Sequence, residues 1–183
     1  MKFLICFLVF WMPIKAIRKR WRMKLLQWYY AFPVASKAAS VGGGLRVGGV
    51  SSVTRTTEIG ENVTLEGLHI YGCGKVKIGS HAKIGQETVI LSQNHNYEGN
   101  KLPYGSDYVA KDVTIGECVW IGMRVTILPG TEIGEGAIVQ AGSVVHGKIP
   151  PFAIVGGNPA KVFAWRDKEH YVALRSQGSY MRW

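Results

Sequence analysis

Five histidines and three cysteines are the side chains of this sequence best suited to proton transfer or metal binding near neutral pH. Cys6, Cys73 and Cys118 lie far apart, with no Cys-x-x-Cys pair and no histidine at a zinc-finger interval. Neither a metal centre nor a disulfide framework is expected, and reduced thiols point to a cytoplasmic setting. His69, His81 and His146 occupy positions of a repeat, and His170 lies in the C-terminal tail. His95 differs. It stands in SQNHNYEGNKLPYGSDY, rich in Asn, Gly, Tyr and Pro, which reads as a loop (92–108) thrown out of an otherwise regular chain. Imidazole is the usual general base at neutrality, so a loop carrying a single histidine is the first place to look for one.

The elements that must position that loop are written in a period of six. Val47, Val53, Ile59, Leu65 and Tyr71 set one register; Ile78, Ile84 and Ile90 resume it one residue late; Val109, Ile115, Ile121, Ile127, Ile133, Val139 and Val145 continue it. Gly follows many of these residues, and a smaller residue sits four positions after them (Val63, Ala82, Thr88, Val113, Val119, Val125, Thr131, Ala137, Ser143). Glycine reaches 23 of 183 residues, about 13% against an average near 7%. A period of six is neither 3.6 nor 2. It fits a chain that turns a corner every six residues, an all-β solenoid of triangular cross-section in which aliphatics fill the interior and Gly supplies unusual backbone angles. Roughly 80 residues in register imply four to five coils, none able to bury its face alone.

The tandem Leu/Ile/Val-Gly-x-x-x-x units, the segment IGECVWIGMRVTILPGTEIGEGAIVQAGSVV and the GGNPAKV that follows closely resemble the left-handed β-helix acyltransferases of the hexapeptide-repeat superfamily, over about residues 45–165. Within it the likeness is to the galactoside, maltose, xenobiotic and polysaccharide O-acetyltransferases. The resemblance implies a left-handed parallel β-helix (41–150), a C-terminal extension with a short helix (151–183), assembly as a homotrimer, and acetyl-CoA as acyl donor without a metal. It implies that His95 is the catalytic base, delivered to a neighbouring subunit, with Asn94, Tyr97 and Trp120 towards the acceptor. It also implies that Ala141 and Gly142 present backbone to the pantetheine arm, that Met123 and His146 lie beside that arm, and that Lys161 and Arg166 meet the nucleotide phosphates. Gly147-Lys148 departs from the Thr-Lys of several relatives, and the oxyanion-stabilising group is unassigned.

The net charge of +10 belongs to one end. Residues 1–37 carry eight Lys and Arg and no acid, and the other 146 residues hold 14 basic against 12 acidic. A basic face for nucleic acid is therefore not expected. Phe3 to Met12 is a run of ten apolar residues, short of the ~20 that span a bilayer, and the basic stretch after it does not read as a signal-peptide cleavage site. Ile14, Ile17, Trp21, Leu25 and Trp28 then form one helical stripe ringed by Lys and Arg. Such an arm (1–40) suits an anionic membrane surface, through residues 1–30 on the inner face of the cytoplasmic membrane. A helix packed on its own domain or on a partner subunit gives the same stripe.

The expected activity is acetyl transfer to a sugar hydroxyl in lipopolysaccharide, capsule or another surface polysaccharide. The alternatives are a xenobiotic acetyltransferase and a non-enzymatic solenoid scaffold. A solenoid carbonic anhydrase needs three histidines per zinc, and no His-x4-His pair occurs.

Overall fold

The structure is a computed structural model that describes residues 15–181. The apolar run Phe3–Met12 and Ile14 lie outside the described residues. Helix α1 (Lys15–Lys37) leads into a parallel β-solenoid whose strands form three sheets. The first sheet stacks Ser40–Val41, Thr57–Ile59, Val76–Ile78, Val113–Ile115, Glu132–Ile133 and Lys148–Ile149. The second stacks Arg46–Val47, Thr64–Leu65, Lys83–Ile84, Trp120–Ile121, Ile138–Val139 and Ala153–Gly157, and is closed by the antiparallel Ala160–Trp165. The third stacks Leu68–Tyr71, Thr88–Leu91, Thr126–Ile127 and Val144–Val145. The chain makes about six turns, more than the four to five expected, because coils before and after the unbroken repeat also join the stack.

The aliphatic column is the core: Val47, Leu65, Ile84, Ile121, Ile127 and Val145 are fully buried. Parallel pairing sets them directly above one another, as in Leu65 with Ile84 and Ile121 with Val139. Two expected members are not in it. Ile70 is buried where Tyr71 was expected, and Tyr71 is exposed, since the side between Leu65 and Ile70 is one residue short. Val109 is exposed because it belongs to a hairpin strand (Tyr108–Ala110), not to a coil.

The glycines also differ from expectation. Those directly after the aliphatics, such as Gly122, do not have positive φ; they are small because the next coil lies against them. The left-handed corner falls three residues after the aliphatic and is held by Asn62, His81, Glu87, Cys118, Arg124 and Phe152, or by Gly136 and Gly142.

Two elements cap the prism. Val34 of α1 is fully buried, with Tyr30, Ala31 and Ala38 packed on the core, and Gln27 Nε2 donates to the Leu45 carbonyl at 3.2 Å. This seals the open edge of the first coils. At the other end α2 (Lys168–Ser176) is N-capped by Asp167, whose carboxylate accepts from the His170 amide at 2.9 Å. Its Arg175 pairs with Glu117 and Glu135 from successive corners. Among the described residues no helix is long and apolar enough to cross a membrane.

The candidate active site and its relatives

Among the described residues one hairpin leaves the side of the prism, at the edge between the third and first sheets. There Gln93–His95 and Tyr108–Ala110 pair antiparallel, with Tyr108 opposite His95, and carry a hairpin away from the coil. Its tip is bare to solvent, Leu102 being 96% exposed. Asn96 organises its base: the backbone amide donates to the Asp107 carbonyl at 3.1 Å, and Nδ2 to the Asp107 carboxylate at 2.9 Å. The Asn96 carbonyl in turn accepts from Gly105 at 2.8 Å. His95 sits half-buried within this frame, its ring stacked on Tyr104 with centroids 3.9 Å apart and tilted on Tyr108 at 4.5 Å. Asn94 and Tyr97 flank it and are exposed. Leu91, Leu128 and His146 come directly after the stacked Ile90, Ile127 and Val145 on this same edge, so His146 stands two coils further along it, exposed.

The edge between the second and third sheets gathers a different set. The Gly142 amide donates to the Met123 carbonyl at 2.9 Å, so Met123 and Ala141–Gly142 occupy the same corner in successive coils. All three are exposed, and a Cβ added at Gly142 would meet nothing within 4 Å. The Gly157 amide reaches the Ser143 hydroxyl at 3.2 Å, which places the turn before Ala160–Trp165 over that corner. Lys161, paired with Gly156 on this closing hairpin, is exposed beside it.

Trp120 and Arg166 belong to a third place. Trp120 is 57% exposed on the outer side of the second sheet, next to Lys83, and both line a cleft of about 490 Å³ under α2. Burial, with Arg46 nearby, lowers the pKa of the Lys83 ammonium. His81, at a left-handed corner, stacks on Tyr180 at 3.8 Å and walls the cleft. Arg166 is committed within the chain: its guanidinium donates to the Gly136 carbonyl at 3.2 Å and lies 5.1 Å from the Tyr171 ring centroid. The Tyr171 hydroxyl donates to Glu135 at 2.9 Å, and burial, then its bond with Cys118, push its pKa up.

A single chain thus brings Met123, Ala141, Gly142 and Lys161 together, and His95, Asn94 and Tyr97 together, but puts the two groups on different edges. Sequence reasoning missed Tyr104 and Tyr108, which entered only as loop residues, and Lys83, whose approach to Trp120 appears only when coils are stacked. Among the described residues no group of three or more His, Cys, Asp or Glu side chains could hold a metal ion.

The bacterial transferase hexapeptide model (six repeats) matches residues 112–147. WbbJ of Escherichia coli, named as a lipopolysaccharide biosynthesis O-acetyl transferase, is 38% identical over 103 residues, 52% of this chain and 53% of that one. A chloramphenicol acetyltransferase of Agrobacterium fabrum is 31% identical over 129 residues, 61% of this chain and 62% of that one. The chain therefore spans between half and two thirds of the length of these relatives. A solved galactoside acetyltransferase in complex with coenzyme A superposes with a TM-score of 0.65 at 25% identity, covering 93% of this chain and 80% of that one. The six-residue period, the three stacked sheets and these likenesses together give the chain a hexapeptide-repeat fold, similar to that of these acetyltransferases.

Proposed function

We propose that this protein is an acetyl-CoA-dependent acetyltransferase acting on a sugar hydroxyl of a surface polysaccharide or its lipid-linked precursor. The observation that carries the reading is the hairpin that leaves the side of the prism, bearing a half-buried histidine. In this reading His95 takes the proton of the acceptor hydroxyl as the oxygen attacks the thioester carbonyl. The carbon–sulfur bond then breaks, and the coenzyme thiolate leaves and takes up a proton. The open corner at Met123, Ala141 and Gly142 suits a narrow pantetheine arm, and Lys161 suits a phosphate.

The division of these groups between two edges supports a closed trimer in which one copy's hairpin faces its neighbour's open corner. The outer faces support it too. The first sheet shows Glu58, Lys77, Glu132 and Lys148, with Lys75–Glu58 and Lys148–Glu132 ion pairs, a face suited to water. The third shows His69, Val89, Thr126 and Val144, with no Lys, Arg, Asp or Glu among them, a face suited to burial. The arm is the membrane element: α1 leaves Trp21, Met23, Trp28 and Phe32 exposed beside Arg22 and Lys24.

Thiol release from acetyl-CoA, followed with a galactoside, a nucleotide-linked sugar and chloramphenicol as acceptors, tests the reading. Turnover with a sugar is expected, and His95→Ala should lower it by about two to four orders of magnitude while acetyl-CoA binding persists. Chloramphenicol as the only acceptor turned over, which its Agrobacterium relative makes the second reading, would replace the sugar; thiol release undiminished in His95→Ala would remove the base.

A further inference from the structure

A catalytic imidazole has to be held in one plane, and the common device is a hydrogen bond from its second nitrogen to a carboxylate or carbonyl. His95 lacks that device. Its Nδ1 is buried and has no hydrogen-bond partner among the described residues. What touches the ring instead is aromatic: Tyr104 lies nearly parallel, 22° between planes at 3.9 Å, and Tyr108 lies at 37° and 4.5 Å. Tyr108 is the cross-strand partner of His95 and is tied to the hairpin ladder. Tyr104 lies outside both strands, between Pro103 and Gly105, and Gly105 is fixed by its amide bond to the Asn96 carbonyl. The loop thus returns on itself to set a tyrosine ring flat against the histidine.

We propose that Tyr104 is a positioning residue: through its ring face it fixes the plane of the His95 imidazole, in place of a hydrogen bond to Nδ1. The proposal rests on the reading of His95 as the base. Offset or near-parallel ring contacts stabilise a particular ring arrangement beyond the area they bury, which selects one ring orientation of a half-exposed side chain. The contribution belongs to the ring and not to the phenol hydroxyl, so phenylalanine should serve as well as tyrosine.

Two readouts test it, one independent of activity. In proton NMR of the full chain, the His95 ring signals, identified by their loss in His95→Ala, should lie upfield of those of His69, His146 and His170 through the tyrosine ring current. Tyr104→Ala should move them downfield and leave those of His81, stacked on Tyr180, in place. Tyr104→Phe should hold them upfield. In turnover, Tyr104→Ala should lower kcat by about 10- to 100-fold with KM for acetyl-CoA unchanged, and Tyr104→Phe should restore it. Persistence of the Asn96 and Gly105 amide signals in each variant establishes that the hairpin is still formed. His95 signals unmoved by Tyr104→Ala, or a Tyr104→Phe variant as impaired as Tyr104→Ala, would overturn the proposal. A wild-type protein that transfers no acetyl group would instead remove the function, with the ring-current result still deciding whether Tyr104 holds the ring.

Discussion

Gly122 illustrates how much one residue decides in a stacked coil. A Cβ there would lie 2.6 Å from the Ala141 backbone nitrogen, and backbone cannot rotate away as a side chain can. Gly122→Ala should therefore push two coils apart at the corner that also carries Met123 and Gly142. The expected cost is about 1–3 kcal/mol, read as a lower urea midpoint with unchanged slope. Gly43→Ala is the matched control, because nothing lies within 4 Å of its added Cβ. That Gly follows the aliphatic is plain in the sequence. That it answers to close approach and not to an unusual φ is not, since both demands select glycine. The left-handed position was hidden because Asn62, His81, Glu87, Cys118, Arg124 and Phe152 share no property a sequence displays. His81 and Cys118, among the few reactive side chains, are thereby corner residues, each half-buried on an edge.

Among the elements, those built from six-residue units were legible and those that break the count were not. Leu65, Ile84 and Ile121 stack because nothing disturbs the spacing across them. The Tyr71 and Val109 positions failed where one side lost a residue and where a hairpin strand mimicked a coil. Alternation in a two-residue period cannot be told from a six-residue one when only one residue is compared. The hairpin itself was visible as a lapse in the repeat, but the contact of Tyr104 with His95 depends on a turn path no pattern specifies. Helix α1 was legible as a helix, but the side by which it packs on the solenoid was not. Trp21 and Trp28, expected to face a membrane surface, their own domain or a partner subunit, are 50% and 59% exposed; the residues that meet the solenoid are Gln27, Tyr30, Ala31 and Val34. Their spacing of three and four is also a helical stripe, one that a polar Gln disguises. Val34→Asp should place a carboxylate where no partner waits and cost more than ~2 kcal/mol. Trp28→Asp, on the open face, should change stability by less than ~0.5 kcal/mol. Paired thermal unfolding of the two variants checks which side of α1 carries the packing.

For the whole molecule, the two faces of α1 turn an apparent choice into a division of labour. One face closes the first coils; the other presents Trp21, Trp28 and Phe32, with Trp28 and Phe32 ring centroids 5.6 Å apart and the Lys24 ammonium 5.9 Å from the Trp21 ring. A helix that is bound on one side only and amphipathic on the other suits a surface that is apolar and negatively charged at once. The one-signed charge of residues 1–37 fits an anionic lipid headgroup layer, where each nearby Lys or Arg contributes roughly 1 kcal/mol. Binding of the full chain to vesicles containing phosphatidylserine is therefore expected, weakening as salt rises because headgroup attraction is screened over ~8 Å at physiological ionic strength. Neutral vesicles should bind less. The combined Trp21→Ala, Trp28→Ala variant should lose most of the remaining, salt-resistant binding, since those rings supply the apolar part. Both rings are exposed and neither is among the residues packed on the core, so the variant's acetylation of a soluble sugar and its unfolding midpoint should match the wild type. A variant that keeps full vesicle binding, or a full chain indifferent to lipid charge, would assign the exposed tryptophans to a protein partner instead. Loss of fold in the same variant would show that the open face is packed after all, and that α1 is a structural cap on both sides.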